Sequence, residues 1–449
     1  MAQKSVEARE LTWGSEFRHD EMSANKISKV RRILVASVAL CLLALAGVGA
    51  LVVAEAIYRG TGANQIARKG YIIDVNLFQY RPYVVSAMQP NLRLGNSKSV
   101  LEKYFKEKDC RLPDGTTAIF NSLGFRSPEF TNLPPKKPDE IRIIITGGSA
   151  AMSWNVNEEC TLDRNLKKLL EAAVPGSDIR IFNLANAAWI SFQELIAIQL
   201  FGLAIDPDVV LSFSGFNDFQ HAFYSPADRA YAAGHMENAF RDYKAEIEAG
   251  PGDLLRHFTL AELPKRLFET RRSPTEMAGK KKQFPDRADR AEPGYLATRL
   301  RLPLDVDAIE KRSDFDPYNQ SVVDGFVRNQ KLMARSIATV GGTLISILQP
   351  TLYLKRYLEA GEKEKLVEQY QHDVNFVVQA YLRARRLLRR VSGSNESNQK
   401  FIDLSMIFGS RADQIFTDNV HMNPEGYRVA ASRLAPVILD IISKSKSDR

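Results

Sequence analysis

The chain has 449 residues, 45% of them apolar. That is room for one large domain with appendages, or for two domains, and it excludes wholesale disorder. The net charge of +8 is modest and is split between an N-terminal segment, a middle insertion and one late helix, so no nucleic-acid footprint is read from it. The three cysteines, Cys41, Cys110 and Cys160, lack metal-ligand spacing. Cys110 and Cys160 are open to two readings: one disulfide in an oxidising compartment, or two unpaired thiols.

Residues 1–32 are polar and end in Lys26, Lys29, Arg31 and Arg32. From Ile33 to Ala54 no residue is charged, a run long enough to cross a hydrocarbon core of ~30 Å as a helix. The basic cluster lies on its N-terminal side. We therefore expect a cytoplasmic N-terminal segment (1–32), a transmembrane helix (33–58) and a chain that is extracytoplasmic beyond it. Ala54-Glu55-Ala56 resembles a signal-peptidase site, but the apolar run exceeds the ~7–15 residues of a signal peptide's hydrophobic region, so the expectation is an uncleaved single-pass anchor. Residues 59–140 read as an N-terminal extension packed on the next domain. In it Tyr80-Arg81-Pro82-Tyr83 and Asn121-Ser122-Leu123-Gly124-Phe125-Arg126 look ordered.

The run Ile141 to Thr146 is β-branched, almost without a polar face, and stops on Gly147-Gly148-Ser149. It reads as a buried parallel strand with a sharp turn at its carboxyl end. Helix 163–174 follows, with Leu166, Leu169, Leu170 and Ala173 at helical spacing. Strand 179–183 leads to helix 191–204, where Ser191 and Glu194 form a capping-box pattern. Asp208 to Phe213 is the third strand. Residues 221–320 break the alternation and read as an insertion. Its basic stretch, 265–312, reads as a solvated surface loop at the place where a lid would sit.

Alternation resumes with a helix lined by Phe326, Met333, Ile337 and Val340, and with strand 343–348. A long helix follows, with Leu366, Tyr370, Val374, Val377, Tyr381, Ala384, Leu388 and Val391 on one stripe and its arginines on the wet face. Phe401 to Leu404 is a fifth strand, and a last helix runs from about Pro424 to Ile442. The pattern predicts a doubly wound, flavodoxin-like α/β/α fold with a five-stranded parallel sheet.

Four blocks fall at or beyond the carboxyl ends of these strands: Gly147-Gly148-Ser149, Asn183-Leu184-Ala185-Asn186-Ala187-Ala188, Gly215-Phe216-Asn217-Asp218, and Asp418-Asn419-Val420-His421. They can converge on one crevice. Their order and residues resemble the SGNH/GDSL hydrolase superfamily over roughly 141–445. The likeness is greatest to its bacterial membrane-anchored branch, in which an Asn-Ser-x-Gly-Phe-Arg stretch precedes the first block. The resemblance implies a serine esterase with Ser149 as nucleophile, His421 as base and Asp418 as the carboxylate that orients it. It also implies an oxyanion hole formed by the N–H of Ser149, the N–H of Ala188 and the side-chain amide of Asn217. No metal or cofactor is implied.

Two departures stand out. Ala188 occupies a place where the family has glycine, which matters only if φ there is positive. The first block also lacks the family's aspartate. Asp218 has no assigned role, and Asp218 with His221 repeats the carboxylate-to-histidine spacing, making His221 a reserve base. Trp154, Trp189 and Phe216 are candidate walls of an acyl or sugar pocket, with plain packing as the alternative.

The expectation is an esterase in the cell inner (plasma) membrane, its catalytic domain periplasmic or extracytoplasmic, acting on an O-acyl ester such as one carried by an envelope polysaccharide. An O-acyltransferase with the same triad, or a non-catalytic envelope protein that binds glycan on this scaffold, are the competing readings.

Overall fold

The computed structural model describes residues 34–43, 77–95, 110, 112–224, 306, 309, 317–367, 369, 371–392 and 398–447. The chain divides into two units, Met1–Ile72 with Glu248–Gly279 and Ile73–Ile247 with Lys280–Arg449. In the first, residues 34–43 form a helix whose apolar side chains are exposed, Leu40 and Leu43 by more than two-thirds (71% and 73%). The remainder of the expected membrane span lies outside the described residues, and no described helix is long and apolar enough to cross a membrane.

The second unit is built on five parallel strands: β5 (Glu140–Gly147), β6 (Asp178–Asn183), β7 (Val209–Ser214), β8 (Thr343–Leu348) and β9 (Gln399–Asp403), in the order β6-β5-β7-β8-β9. This is the doubly wound order whose switch point falls between β5 and β7, the place where such sheets bind ligands. Every residue of β5 is buried, which its β-branched run requires. Its one cation, Arg142, is satisfied by Glu140 at 2.8 Å and by the carbonyl of Ile205 at 2.9 Å.

Alternate strand residues feed opposite faces. Ile143, Ile145 and Leu211 join Leu166 and Leu170 of α1 (Leu162–Ala173) and Tyr427, Ala431 and Leu434 of α7 (Pro424–Ser447). Ile144, Val210 and Leu344 join Ala197 of α2 (Ser191–Ala197) and Met333 and Ile337 of α4 (Pro317–Ala338). The result is the expected three-layer arrangement.

Two short antiparallel ribbons precede it, β1 (Phe78–Arg81) with β2 (Val85–Met88) and β3 (Arg93–Leu94) with β4 (Ala118–Ile119). Met88 and Leu94 of these ribbons, with Leu77 and Phe120 just outside them, share the core of Ile143 and Leu166.

Several local expectations need correction. Helix 191–204 is α-helical only to Ala197; it continues as a π-turn over Ile198–Gly202 and a 3₁₀ turn over Leu203–Ile205. Ile190, not Ser191, is its cap, and only half of a capping box forms: Gln193 Oε1 accepts from Ile190 N at 3.1 Å, while the Ile190 side chain has no acceptor to offer. The long helix is two, α5 (Ala360–Val367) and α6 (Gln371–Ser392), with Gln369 N turning back to Leu366 O. The basic stretch 265–312 lies outside the described residues, save 306 and 309, so the lid expectation does too.

Candidate active site

Ser149 sits half-buried at the tip of the β5 turn. The turn depends on both glycines before it. Gly147 has φ +149°, and a Cβ there would meet the Phe213 carbonyl oxygen at 2.4 Å. A Cβ on Gly148 would meet Asn217 Nδ2 at 2.3 Å. The strand must therefore end on glycines for the chain to turn beneath Asn217.

The fourth block arrives from beyond β9. A single bridge between Phe416 and Met422 closes a small loop that carries Asp418 and His421. Asp418 Oδ1 accepts from the N–H groups of Val420 at 2.9 Å and His421 at 2.8 Å. This turn leaves Oδ2 for the His421 ring, whose Nδ1 is 2.6 Å away. On the other side of the ring, Nε2 lies 2.7 Å from Ser149 Oγ. Burial pushes the Asp418 carboxyl up, but the His421 ring and the two backbone donors outweigh it and hold the group at about 2. Asp418 is thus an anion at neutral pH. An anion takes the Nδ1 proton as acceptor, which leaves Nε2 a lone pair facing the Ser149 hydroxyl.

The base of this loop is braced by a pair the sequence did not suggest. Lys355 and Glu362 are both fully buried, their side chains 2.5 Å apart. Glu362 Oε1 accepts from Ile415 N at 2.9 Å and Phe416 N at 3.0 Å, while Lys355 Nζ also donates to Asp413 O at 2.5 Å. A buried ion pair is tolerable only when its remaining hydrogen-bonding groups are used, as here.

The oxyanion-hole candidates cluster at the start of α3 (Phe216–Tyr224) and after β6. Asn217 Nδ2 donates one proton to Trp189 O at 2.8 Å, leaving its second for another acceptor. Among the described residues, the N–H groups of Ser149 and Ala188 donate to nothing. Ala188 has φ +60°, so the strain foreseen for alanine at this position is present.

Asp218, left without a role by the sequence, ties the two segments together. It accepts from Ser191 N at 3.0 Å and Ser191 Oγ at 2.5 Å, and Asn329 Nδ2 donates to the same Ser191 hydroxyl at 3.0 Å. The start of α3, with Asn217, is thereby fixed to the start of α2, just beyond Ala188. His221, the reserve base, lies in α3, and the ring that faces Ser149 Oγ is that of His421.

Behind it, Glu194 accepts from Ser212 Oγ at 2.8 Å and from Ser214 Oγ. Gln330 Nε2 donates to Ser212 Oγ at 2.8 Å, and its Oε1 accepts from Ser346 Oγ at 2.7 Å. Burial raises Asp218 to about 7, and burial with the Asp218 charge raises Glu194 to about 8.

The pocket-wall candidates divide. Trp189 is in the core, its indole N–H donating to Ser86 O at 2.8 Å. Phe216 is buried against Tyr353, with ring centroids 5.7 Å apart. Both are packing residues, as their large apolar rings dictate. Trp154 is half-buried and stacks on Phe78 at 6.1 Å.

The segment after Ser149 is gripped from outside. Arg126, the end of the Asn-Ser-x-Gly-Phe-Arg stretch, is buried and donates to the carbonyls of Ser153 at 2.7 Å, Thr117 at 3.0 Å and Val156 at 3.0 Å, and to Glu158 at 3.1 Å. Cys110 and Cys160 form a disulfide at the same place, Cα–Cα 5.5 Å. Among the described residues no group of three or more His, Cys, Asp or Glu is placed to hold a metal.

No family model matches the sequence, and no curated protein matches it. Solved structures do. A catalytic mutant of an acetylxylan esterase from Geobacillus stearothermophilus aligns over 69% of this chain and 96% of its own, at 11% identity and TM-score 0.33. A lipase/acylhydrolase from Enterococcus faecalis aligns over 66% and 95%, at 13% identity and TM-score 0.31. An acetyl xylan esterase aligns over 66% and 100%, at 14% identity and TM-score 0.32. At these identities and scores the chemistry of the site rests on its own geometry.

Proposed function

We propose that the chain is a serine esterase of the SGNH/GDSL type, cleaving an O-acyl ester through an acyl-enzyme. The observation that carries this is the unbroken hydrogen-bonded chain Ser149 Oγ–His421–Asp418, at 2.7 Å and 2.6 Å, together with the unengaged N–H groups of Ser149 and Ala188 and the second amide proton of Asn217. Ser149 Oγ attacks the ester carbonyl as His421 Nε2 takes its proton. Asp418 stabilises the imidazolium that forms. The carbonyl oxygen becomes an oxyanion facing Ser149 N, Ala188 N and Asn217 Nδ2, where each donor is worth ~2.7–4 kcal/mol of barrier. His421 then protonates the departing alcohol. It next takes a proton from water as the water attacks acyl-Ser149, and returns that proton to Ser149 Oγ as the acyl–oxygen bond breaks and the acid leaves.

The proposed place of action is the outer face of a plasma membrane, held there by a span at 33–58. The exposed apolar helix 34–43 supports an anchor. The Cys110–Cys160 disulfide supports an oxidising compartment, and the basic cluster before residue 33 supports a cytoplasmic N-terminus. From that place, the proposed substrate is an O-acylated envelope polysaccharide.

The test is to give the full chain, in detergent, an acetylated glycan and to follow both free acetate and acetyl transfer to an added sugar. Acetate release that vanishes in Ser149→Ala supports the esterase. Acetyl transfer to the sugar with little free acetate makes it a transferase, and no turnover of any ester counts against both. Peptide mapping without reductant tests the compartment: two free thiols at Cys110 and Cys160 in protein from the native membrane would contradict it.

A further inference from the structure

We propose that Asn155 is a positioning residue for the base, latching the loop behind the nucleophile to the loop that carries His421. The inference rests on the esterase reading above. Asn155 lies six residues beyond Ser149, in the segment whose carbonyls Arg126 grips from the other side. Its amide nitrogen crosses to the second loop. Nδ2 donates to Thr417 Oγ1 at 2.7 Å and to Met422 O at 3.0 Å. A carbonyl can only accept, so the nitrogen must face Met422 and the amide orientation is fixed.

Thr417 passes the contact on. With its hydroxyl taken as acceptor by Asn155, its own proton goes to His421 O at 3.2 Å, and Thr417 N donates to the same carbonyl at 2.9 Å. A chain of donors, Asn155 to Thr417 to His421, thus runs from the nucleophile's segment to the backbone of the base itself. The two residues that Asn155 holds, Thr417 and Met422, flank the Asp418–His421 turn on both sides. Hydrogen bonds elsewhere brace each loop separately. Lys355 and Glu362 hold the foot of the His421 loop, and Arg126 holds the back of the Ser149 loop.

The bond-making sits on one side of the amide only. Asn155 Oδ1 is buried without a partner among the described residues. A stranded acceptor is destabilising, and the two bonds made by Nδ2 offset that cost.

Removing the latch lets the imidazole drift from Ser149 Oγ. A misplacement of about 1 Å costs on the order of 100-fold in rate. The test uses the full chain in detergent with a fluorophosphonate, which reports the activated serine directly. The Ser149 Oγ–phosphorus bond forms, fluoride leaves, and the hydroxyl proton passes to His421.

Rates are measured for the wild type, Asn155→Ala, Thr417→Val, Thr417→Ser and His421→Ala, and for Asn155→Ala combined with His421→Ala, with a melting curve for each. The expected result is a fall of about 10- to 100-fold for Asn155→Ala, a smaller fall for Thr417→Val, and rescue by Thr417→Ser, which keeps the hydroxyl. In the His421→Ala background, Asn155→Ala should change nothing further, because its effect passes through His421.

Wild-type rates for Asn155→Ala would overturn the proposal and leave the esterase reading intact. So would an equal fall with and without His421, the mark of a general loss of structure. Failure of the wild type itself to react would remove the esterase reading, and this proposal with it. Should Asn155→Ala not fold, the surface pair Thr417→Val and Thr417→Ser decides: equal rates for the two overturn the proposal.

Discussion

Ser149 Oγ and His421 Nε2 stand 2.7 Å apart although 272 residues separate them in the chain. Neither residue is special in its own segment. Ser149 is where a buried strand must turn, and His421 is where an Asp-led turn closes. The sheet order brings the two ends together at one crevice.

Asp418 is 2.6 Å from His421 Nδ1 and selects the ring form that can accept the serine proton. Asp418→Asn offers an amide in place of an anion and should lower kcat by on the order of 10⁴ with the fold intact. A kinetic assay with an activated ester checks this. The carboxyl is held down from 3.8 to about 2, so the folded chain binds fewer protons than the unfolded chain in that window. Its contribution is present above about 4 and lost as pH falls through 2. Acid melting curves should therefore separate wild type from Asp418→Asn at neutral pH and converge near pH 2.

Gly148 is bound to its identity by a neighbour. An added methyl would lie 2.3 Å from Asn217 Nδ2 and 3.2 Å from Trp189 O. Gly148→Ala should push the Asn217 amide aside and cost about 10²–10³ in kcat, the loss of one oxyanion donor. Substrate affinity should change far less, and steady-state kinetics separates the two.

Ala188 holds φ +60° at a cost of ~1–2 kcal/mol. Ala188→Gly relieves it, less the ~0.5–1 kcal/mol that glycine adds to the entropy lost on folding. A net gain of about 0.5 kcal/mol is expected, read as a small rise in melting temperature.

The buried Glu194 and Asp218 give stability the opposite pH slope. Their carboxyls rise from 4.5 to about 8 and from 3.8 to about 7, so the folded chain keeps protons that the unfolded chain has lost. Stability is fully present below about 4 and falls as pH rises towards 8. Glu194→Gln removes the higher of the two groups. Melting temperatures from pH 5 to pH 8 should fall less steeply in this variant than in the wild type.

The first four strands of the sheet were legible because they are short apolar runs rich in β-branched residues that stop at or just before glycine, asparagine or proline, and because three of them end on one of the four blocks. What stayed hidden depends on distant contacts. Asp218 looks idle until Ser191 and Asn329 are beside it. Lys355 and Glu362 carry no signal in the sequence, yet they form a buried pair. Ser212, Ser214 and Ser346 interrupt apolar strands for a reason carried by Glu194 and Gln330 on other elements. The stripe from Leu366 to Val391 concealed a break, since Leu366 and Val374 both reach one core from two helices. Trp189 and Phe216 drew attention as aromatics next to blocks, but large rings near strand ends are needed first for packing.

Activation of Ser149 by His421 is the centre of the proposed mechanism. The direct measurement is covalent labelling of the full-length chain by a fluorophosphonate, with Ser149→Ala and His421→Ala alongside. We expect one adduct on Ser149 of the wild type, none on Ser149→Ala, and a rate reduced by on the order of 10³ or more in His421→Ala. A wild type that folds and melts cooperatively yet takes no label, or that labels equally well without His421, would contradict it.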